Sequence, residues 1–80
     1  MTTTITVYSK PNCVQCTMTK KALDKLGLDY NTVDVTQDAA AFNMIVGLGF
    51  QSAPVVIAGD DSWAGFQPER ITALAALAAA

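Results

Sequence analysis

Two cysteines, Cys13 and Cys16, are the residues whose type and spacing most directly suggest chemistry. They are the only cysteines among the 80 residues, and the chain contains no histidine. A pair separated by two residues can form and break a disulfide, because each sulfur lies within reach of the other. The same pair can supply half of a zinc site, which needs four nitrogen or sulfur ligands. Since no further ligand of this kind exists, an intrachain structural zinc site is excluded, and a metal bridged across a dimer remains as an alternative.

Two other roles for the cysteine pair fit the sequence poorly. A cysteine protease needs a histidine base, which the chain lacks. A structural disulfide that closes so short a loop constrains little of the unfolded chain and contributes little stability. Reversible thiol–disulfide exchange is therefore the leading hypothesis.

The sequence places the pair between a strand and a helix. Residues 4–8 alternate β-branched and aromatic side chains, which predicts a strand, and the next residues, Lys10 to Asn12, break it. Residues 17–26 have helical spacing, and Gly27 is a natural end for that helix. Asn12 and Gln15 have the spacing of a capping box, so the helix can begin at Cys13. The apolar face of this helix is predicted to comprise Met18, Ala22, Leu23 and Leu26.

This position assigns different roles to the two sulfurs. The unpaired N–H groups and the dipole at a helix N-terminus favour a thiolate, so we expect a lowered pKa for Cys13. Lys10, three residues earlier, adds a nearby cation. We predict that Cys13 is the exposed nucleophile that forms a mixed disulfide with a partner. Cys16, about one turn further and deeper, is predicted to attack Cys13 and release the reduced partner.

The remainder of the chain predicts three more strands and two more helices. The strands are predicted at 28–35, 55–57 and 62–64, with a turn at 59–61. One helix follows the cap-rich residues 36–38, and the other begins at Pro68. The apolar positions with helical spacing are Phe42, Ile45, Val46 and Gly49 in the first of these helices, and Ile71, Leu74, Leu77 and Ala78 in the second.

The element order β-α-β-α-β-β-α predicts a single α/β domain over residues 1–80. A crossover through a helix makes the first two strands parallel, and a tight turn makes the last two antiparallel. The predicted architecture is a four-stranded mixed sheet flanked by three helices.

Composition limits the partners that the chain can have. The net charge is −2 and the pI about 4.5, and no basic stripe is present, which argues against nucleic acid. The N-terminus has neither a positive flank nor a long apolar segment, and no apolar run approaches the roughly 20 residues that span a bilayer. We therefore expect a cytoplasmic location with no membrane association. We also expect a monomer.

The segment from Val7 to Cys16 resembles the active-site segment of glutaredoxins, and the segment from Ser52 to Val55 resembles the loop in which those proteins place a cis-proline against their cysteines. The resemblance implies a thioredoxin fold in which Pro54 is cis and the Ala53 backbone pairs with an extended partner chain. The residues that it implies as thiolate-stabilising or active-site-shaping are Lys10, Pro11, Val14, Gln15 and Pro54.

Residues 13–17 and 63–71 together resemble NrdH-redoxins, which are glutaredoxin-like electron donors of class Ib ribonucleotide reductase recharged by thioredoxin reductase and NADPH. This resemblance implies that thioredoxin reductase and the catalytic subunit of ribonucleotide reductase are the partners. It also implies no bound cofactor besides the redox-active Cys13–Cys16 disulfide. The usual family segment reads Trp-Ser-Gly-Phe-Arg-Pro; because Ala64 and Gln67 replace its serine and arginine, we expect this loop to be held differently or more loosely. The implied partner-binding residues are Ala53, Trp63, Gly65, Phe66 and Pro68.

A glutathione-dependent dithiol glutaredoxin is the alternative within the same fold. Such proteins resemble one another in a Gly-Gly turn followed by an aspartate that binds the charged end of the tripeptide. Residues 64–68 contain no aspartate, and Asp60 and Asp61 come earlier in the chain. The lack of this aspartate argues against glutathione as a substrate. We expect instead an apolar collar around Cys13 that suits protein docking. The collar is predicted to comprise Val14, Gln15, Ala53, Pro54 and the exposed parts of Trp63 and Phe66.

Overall fold

The computed structural model describes residues 4–79, and their side chains as far as residue 76. Its elements, in chain order, are β1 (Ile5–Ser9), α1 (Val14–Lys25), β2 (Asn31–Asp34), α2 (Ala39–Gly47), β3 (Val55–Ala58), β4 (Asp61–Ala64) and α3 (Pro68–Ala79). The predicted element order is confirmed. The strand predicted at 28–35 is shorter than expected, and the first helix extends from the predicted 17–26 back to Val14, next to Cys13, as the capping-box spacing allowed.

The four strands form one mixed sheet in the order β2-β1-β3-β4. Strand β1 is parallel to β2, and β4 is antiparallel to β3, as predicted. Strand β1 is also antiparallel to β3, with Val7 opposite Val56, so both strands are central in the sheet. This sheet with its three helices is the thioredoxin fold that the sequence led us to expect.

The core lies where β1, β3 and β4 meet α1 and α3. Alternate residues of β1 are buried, as the period of a strand requires when one face of the sheet is covered. Leu23 of α1 and Ile71 of α3 are almost fully buried against that face. The core cluster comprises Ile5, Val7, Leu23, Val56, Ala58, Trp63, Ile71 and Leu74. The side chains of Leu77 and Ala78, which the sequence also assigned to a core face, lie outside the described residues.

The face that α1 presents to the core is only partly the one predicted: Leu23 is fully buried and Ala22 packs against the core, as expected. Its buried residues are Cys16, Thr19 and Leu23, which share a helical stripe. Met18 and Leu26 are 43% and 42% exposed, so their assignment to the core is wrong. A threonine can take the buried position because the Thr19 hydroxyl donates to the Gln15 carbonyl oxygen at 2.8 Å.

Helix α1 ends at a glycine, as predicted. The Gly27 N–H donates to the Asp24 carbonyl and the Leu28 N–H to the Leu23 carbonyl, both at 3.0 Å. Gly27 has a φ of +70°, so the pattern is a Schellman motif that uses glycine for its left-handed residue.

Helix α2 is largely unburied. Of its predicted apolar positions only Ile45 is buried, while Phe42 and Val46 are 49% and 50% exposed. Within residues 4–79, none of the helices has the length and hydropathy needed to cross a bilayer.

Candidate active site

Cys13 caps the N-terminus of α1 with its own sulfur. It has extended backbone angles, and its Sγ accepts the N–H of Cys16 at 3.1 Å. This is the hydrogen bond that an N-cap side chain normally makes. Asn12, which the capping-box spacing placed at the cap, instead has a left-handed φ of +58°. The helix therefore begins next to Cys13 as predicted, but the capping residue is the cysteine.

The two cysteines are joined as a disulfide, with their Cα atoms 5.2 Å apart. Cys16 is 2% exposed, whereas Cys13 is partly exposed. An incoming sulfur can therefore approach Cys13 but not Cys16. This difference in access fits the predicted order, in which Cys13 attacks a partner and Cys16 attacks Cys13.

The loop before β3 lies against Cys13. The Ala53–Pro54 peptide bond is cis, as the resemblance implied. The Ala53 carbonyl oxygen is 4.0 Å from Cys13 Sγ. A disulfide sulfur carries no hydrogen, so in this oxidised state the contact is a van der Waals contact. Pro54 is fully buried, so its side chain does not belong to the exposed collar, and its site-shaping role stays a prediction.

The loop between β4 and α3 is attached by hydrogen bonds to the loop before β3 and to helix α1. The Gly65 N–H donates to the Pro54 carbonyl at 2.8 Å. The Phe66 N–H donates to Gln15 Oε1 at 3.1 Å. The Phe66 side chain is partly buried against the core. Gln15, Gly65 and Phe66 are thus brought together next to the cysteines, as the sequence predicted.

The same loop is also held from its other side. Gln67 Nε2 donates to the Ala64 carbonyl at 2.9 Å, and Arg70 Nε donates to Gln67 Oε1 at 3.1 Å. Arg70 also pairs with Asp61 at 3.1 Å and lies 5.6 Å from the centroid of the Trp63 ring. Gln67 therefore supplies attachments of its own, and these hydrogen bonds do not indicate a loose loop.

The predicted exposure of Trp63 in the collar is wrong, and its partner-binding role stays a prediction. Trp63 is 3% exposed and lies opposite Val56 in the sheet, so it packs into the core. Its indole N–H has no hydrogen-bond partner within the described residues. Pro68 is exposed at the first position of α3, and its binding role stays a prediction. The exposed collar near Cys13 is consequently reduced to Val14, Gln15, Ala53 and Phe66.

Among residues 4–76, lysines and no carboxylates line the depression in which Cys13 lies. Lys10 and Lys20 belong to its wall, together with Pro11, Asn12, Val14, Cys16 and Thr17. The pKa of Asp34 is lowered mainly by a hydrogen bond from the Thr36 hydroxyl, and the positive charge of Lys20 lowers it slightly further. The positive lining fits the thiolate-stabilising role predicted for Lys10.

An apolar cleft of about 170 Å³ adjoins the depression and was missed in the sequence. It shares Lys10 with the depression, and Ala53 forms part of its wall. One indication was available, since residues 39–59 contain no charged side chain. That run predicted a helix and a strand, but it did not indicate which apolar residues would meet at the surface. The apolar residues of the cleft are Val35, Phe42, Ile45, Val46, Phe50 and Ala53.

Comparison with known proteins identifies relatives over most of the chain. Residues 5–63 match the family model for glutaredoxin. The glutaredoxin-like protein NrdH of Escherichia coli strain K12 is 43% identical over 70 residues, which cover 88% of this chain and 86% of that protein. The glutaredoxin-like protein NrdH of Lactococcus lactis strain MG1363 is 35% identical over 71 residues, covering 89% of this chain and 99% of that protein.

Solved structures give the same result. The NrdH-redoxin of Escherichia coli, described as glutaredoxin-like with a thioredoxin-like activity profile, superposes with a TM-score of 0.87 at 42% identity. That match covers 89% of this chain and 93% of the other. A buckwheat glutaredoxin in complex with glutathione superposes with a TM-score of 0.74 at 24% identity, which shows a shared fold alone.

Proposed function

The chain belongs to the glutaredoxin family, in its NrdH-redoxin branch, and is a thiol–disulfide oxidoreductase; we propose that it carries electrons from an NADPH-dependent thioredoxin reductase to class Ib ribonucleotide reductase. In this proposal the protein binds no cofactor, and its Cys13–Cys16 pair holds the electrons in transit. It acts as a cytoplasmic monomer, and the catalytic subunit of the reductase is its electron acceptor.

The exchange proceeds through two displacements at sulfur. The Cys13 thiolate attacks one sulfur of the partner disulfide, whose S–S bond breaks and whose other sulfur leaves as a thiolate. The Cys16 thiol gives up its proton and attacks Cys13 Sγ, which forms the Cys13–Cys16 bond and releases the second partner sulfur. Two electrons thus pass to the partner, one of whose sulfurs takes the proton given up by Cys16 while the other takes its proton from solvent. Thioredoxin reductase then reduces the Cys13–Cys16 disulfide of this chain by the same two steps in reverse.

The capping geometry favours Cys13 as the first sulfur to react. Its Sγ already accepts the Cys16 N–H, and in the thiolate state the same hydrogen bond becomes charge-assisted and stronger. Cys16 is buried and lacks an equivalent exposed approach. The pKa of the Cys13 thiol is accordingly expected to be lowered by the helix N-terminus.

The observation that carries the choice of electron source is the loop from Ala64 to Pro68. It contains no carboxylate; Asp61, before it, is engaged with Arg70, and Glu69, after it, lies in the first turn of α3. A peptide with a charged amino terminus would therefore find no free anionic partner in that loop. The apolar cleft next to Ala53 instead favours a protein surface as the electron acceptor.

Two parallel assays test the electron source. One contains NADPH and thioredoxin reductase, the other NADPH, glutathione and glutathione reductase, each with the disulfide of class Ib ribonucleotide reductase as acceptor. NADPH consumption is expected in the first assay. Turnover confined to the glutathione assay would overturn the proposal and favour a glutathione-dependent glutaredoxin.

Serine substitutions test the roles of the two sulfurs. Cys13→Ser should abolish turnover, because no exposed thiol remains to attack. Cys16→Ser should accumulate a mixed disulfide between Cys13 and the partner, visible by non-reducing electrophoresis and intact-protein mass spectrometry. Full activity of Cys16→Ser on protein disulfides, without a trapped adduct, would contradict the assigned order.

A further inference from the structure

We propose that Gln15 is a positioning residue for protein substrates, whose side-chain oxygen holds the Gly65–Phe66 backbone beside Cys13 in the conformation that receives a protein disulfide. The inference rests on the oxidoreductase activity stated above. It does not depend on which reductase or which target disulfide the protein uses in the cell.

The identity of the contacting atom is fixed by chemistry. The Phe66 backbone N–H can only donate, so the side-chain atom 3.1 Å away must be the amide oxygen of Gln15. The amide nitrogen consequently points elsewhere. A side chain of similar length retains the attachment only if it also offers an oxygen at this position.

Gln15 completes a connected set of three segments around Cys13. The Ala53 carbonyl contacts Cys13 Sγ at 4.0 Å, and the Pro54 carbonyl accepts the Gly65 N–H at 2.8 Å. The Gln15–Phe66 hydrogen bond then joins the β4–α3 loop back to the helix that carries both cysteines. If the Gln15–Phe66 hydrogen bond is lost, the β4–α3 loop stays joined to the loop that contains Pro54. No other described hydrogen bond then joins the β4–α3 loop to α1.

The sequence position of Gln15 makes this attachment specific to the active site. Of the two residues between the cysteines, Val14 is 74% exposed and forms no side-chain hydrogen bond. The backbone of Gln15 is fixed in turn, because its carbonyl accepts the hydroxyl of the fully buried Thr19. The loop is therefore positioned relative to Cys13 by a side chain whose own backbone is held by the core.

This arrangement should affect large and small disulfides differently. A small disulfide needs access to Cys13 Sγ alone, whereas a protein must also fit the rim that Ala53 and Phe66 form. Loss of the Gln15 oxygen should therefore weaken productive binding of a protein more than it slows attack on a small molecule.

Two substitutions of Gln15 separate the attachment from mere side-chain bulk. Gln15→Met keeps the length but lacks the oxygen, whereas Gln15→Glu keeps an oxygen that can accept the Phe66 N–H. Gln37→Met is the matched control, because Gln37 is exposed and its side chain makes no hydrogen bond within residues 4–76. Each variant reduces insulin or hydroxyethyl disulfide, with dithiothreitol as electron donor, so that neither proposed cellular partner is needed.

The readouts are the exchange rate of the Phe66 amide by NMR, the KM for insulin, and the ratio of kcat/KM for insulin to that for hydroxyethyl disulfide. The ratio cancels any change in thiolate content, including that caused by the charge of Gln15→Glu, because both substrates react with the same sulfur. In Gln15→Met, Phe66 amide exchange should accelerate about tenfold and the ratio should fall about fivefold through KM, in keeping with the loss of one hydrogen bond. In Gln15→Glu and Gln37→Met, both quantities should stay within twofold of wild type.

Two results would overturn the inference. Equal Phe66 exchange in wild type and Gln15→Met would show that the hydrogen bond does not hold the loop. Faster exchange with an unchanged ratio would show that the held loop does not serve protein substrates. Failure of the thioredoxin reductase assay would leave both measurements intact, so the two proposals can fail independently.

Discussion

Replacing Gly65 by alanine is the sharpest test of how the loop beside Cys13 is built. Gly65 has a φ of +82°, in the left-handed region that an L-residue with a Cβ adopts at a cost of roughly 1–2 kcal/mol. The added Cβ would lie 3.4 Å from Gln15 Oε1, which is an ordinary contact. Backbone strain therefore dominates over crowding. We expect Gly65→Ala to lower the free energy of unfolding by about 1–2 kcal/mol and Tm by roughly 5–15 °C.

Gly27 provides a matched control for that substitution. It has a φ of +70°, and a Cβ there would meet no atom within 4 Å. Gly27→Ala should therefore lose a similar free energy of unfolding, of about 1–2 kcal/mol. Gly27 ends α1 at its far end from the cysteines, so only Gly65→Ala should also reduce kcat/KM for a protein disulfide.

Urea unfolding followed by circular dichroism measures the stability of both variants, and insulin reduction measures their activity. The slope of free energy against urea concentration must stay constant for the comparison to hold. Wild-type stability in Gly65→Ala would refute the argument from backbone strain. Equal losses of activity in the two variants would refute the argument that the loop around Gly65 belongs to the active site.

Three further predictions concern the elements that carry the site. Leu23 is fully buried, so Leu23→Ala should cost about 2–5 kcal/mol in urea unfolding, whereas Leu26→Ala, at a 42% exposed position, should cost well under that; equal losses would contradict the observed face of α1. Asp38 caps α2 by accepting the Ala41 N–H at 3.0 Å, so Asp38→Ala should cost about 1 kcal/mol and Asp38→Asn much less; wild-type stability in Asp38→Ala would contradict the cap. The pKa of Asp34 is lowered from 3.8, first by the hydroxyl and then by the backbone N–H of Thr36, so its contribution to stability is present above pH 3.8 and is lost as pH falls through the lower folded value. Asp34→Asn should therefore flatten the acid side of a Tm-against-pH profile, and an unchanged profile would argue against this carboxylate.

Most of the architecture could be predicted because it depends on local patterns. Alternation in β1, helical spacing after Cys16, and the turn at 59–61 each act over a few residues, and the order of elements then restricts the topology. Errors arose where two local interpretations competed. Met18 is the more apolar residue, yet Thr19 is the buried one, because its hydroxyl is satisfied within the helix and the stripe of Cys16 and Leu23 passes through it. Hydrophobicity alone does not reveal which face of α1 turns toward the core.

The candidate site divides in the same way. The Cys-x-x-Cys spacing and the lack of further metal ligands are enough by themselves to indicate disulfide chemistry. The resemblance of residues 63–71 to a known segment indicated that this segment matters, but not how. It placed Trp63 among the contact residues, although the inward position of Trp63 on β4 buries it in the core. The apolar cleft next to Ala53 was missed: most of its apolar residues lie between 42 and 53, but the uncharged run that contains them does not indicate which of them meet at the surface.

The two reacting sulfurs can be identified from the amino-acid sequence, because sulfur chemistry at a spacing of two residues is a local property. The sequence also predicts the order of elements that brings a strand, the cysteines and a helix together. The folded chain was needed to show that Cys13 caps the helix with its sulfur, that Cys16 is shielded, and that Gln15 reaches Phe66 across 51 positions of the chain. Those features depend on packing and on hydrogen bonds between distant segments, which residue types and spacing do not encode position by position.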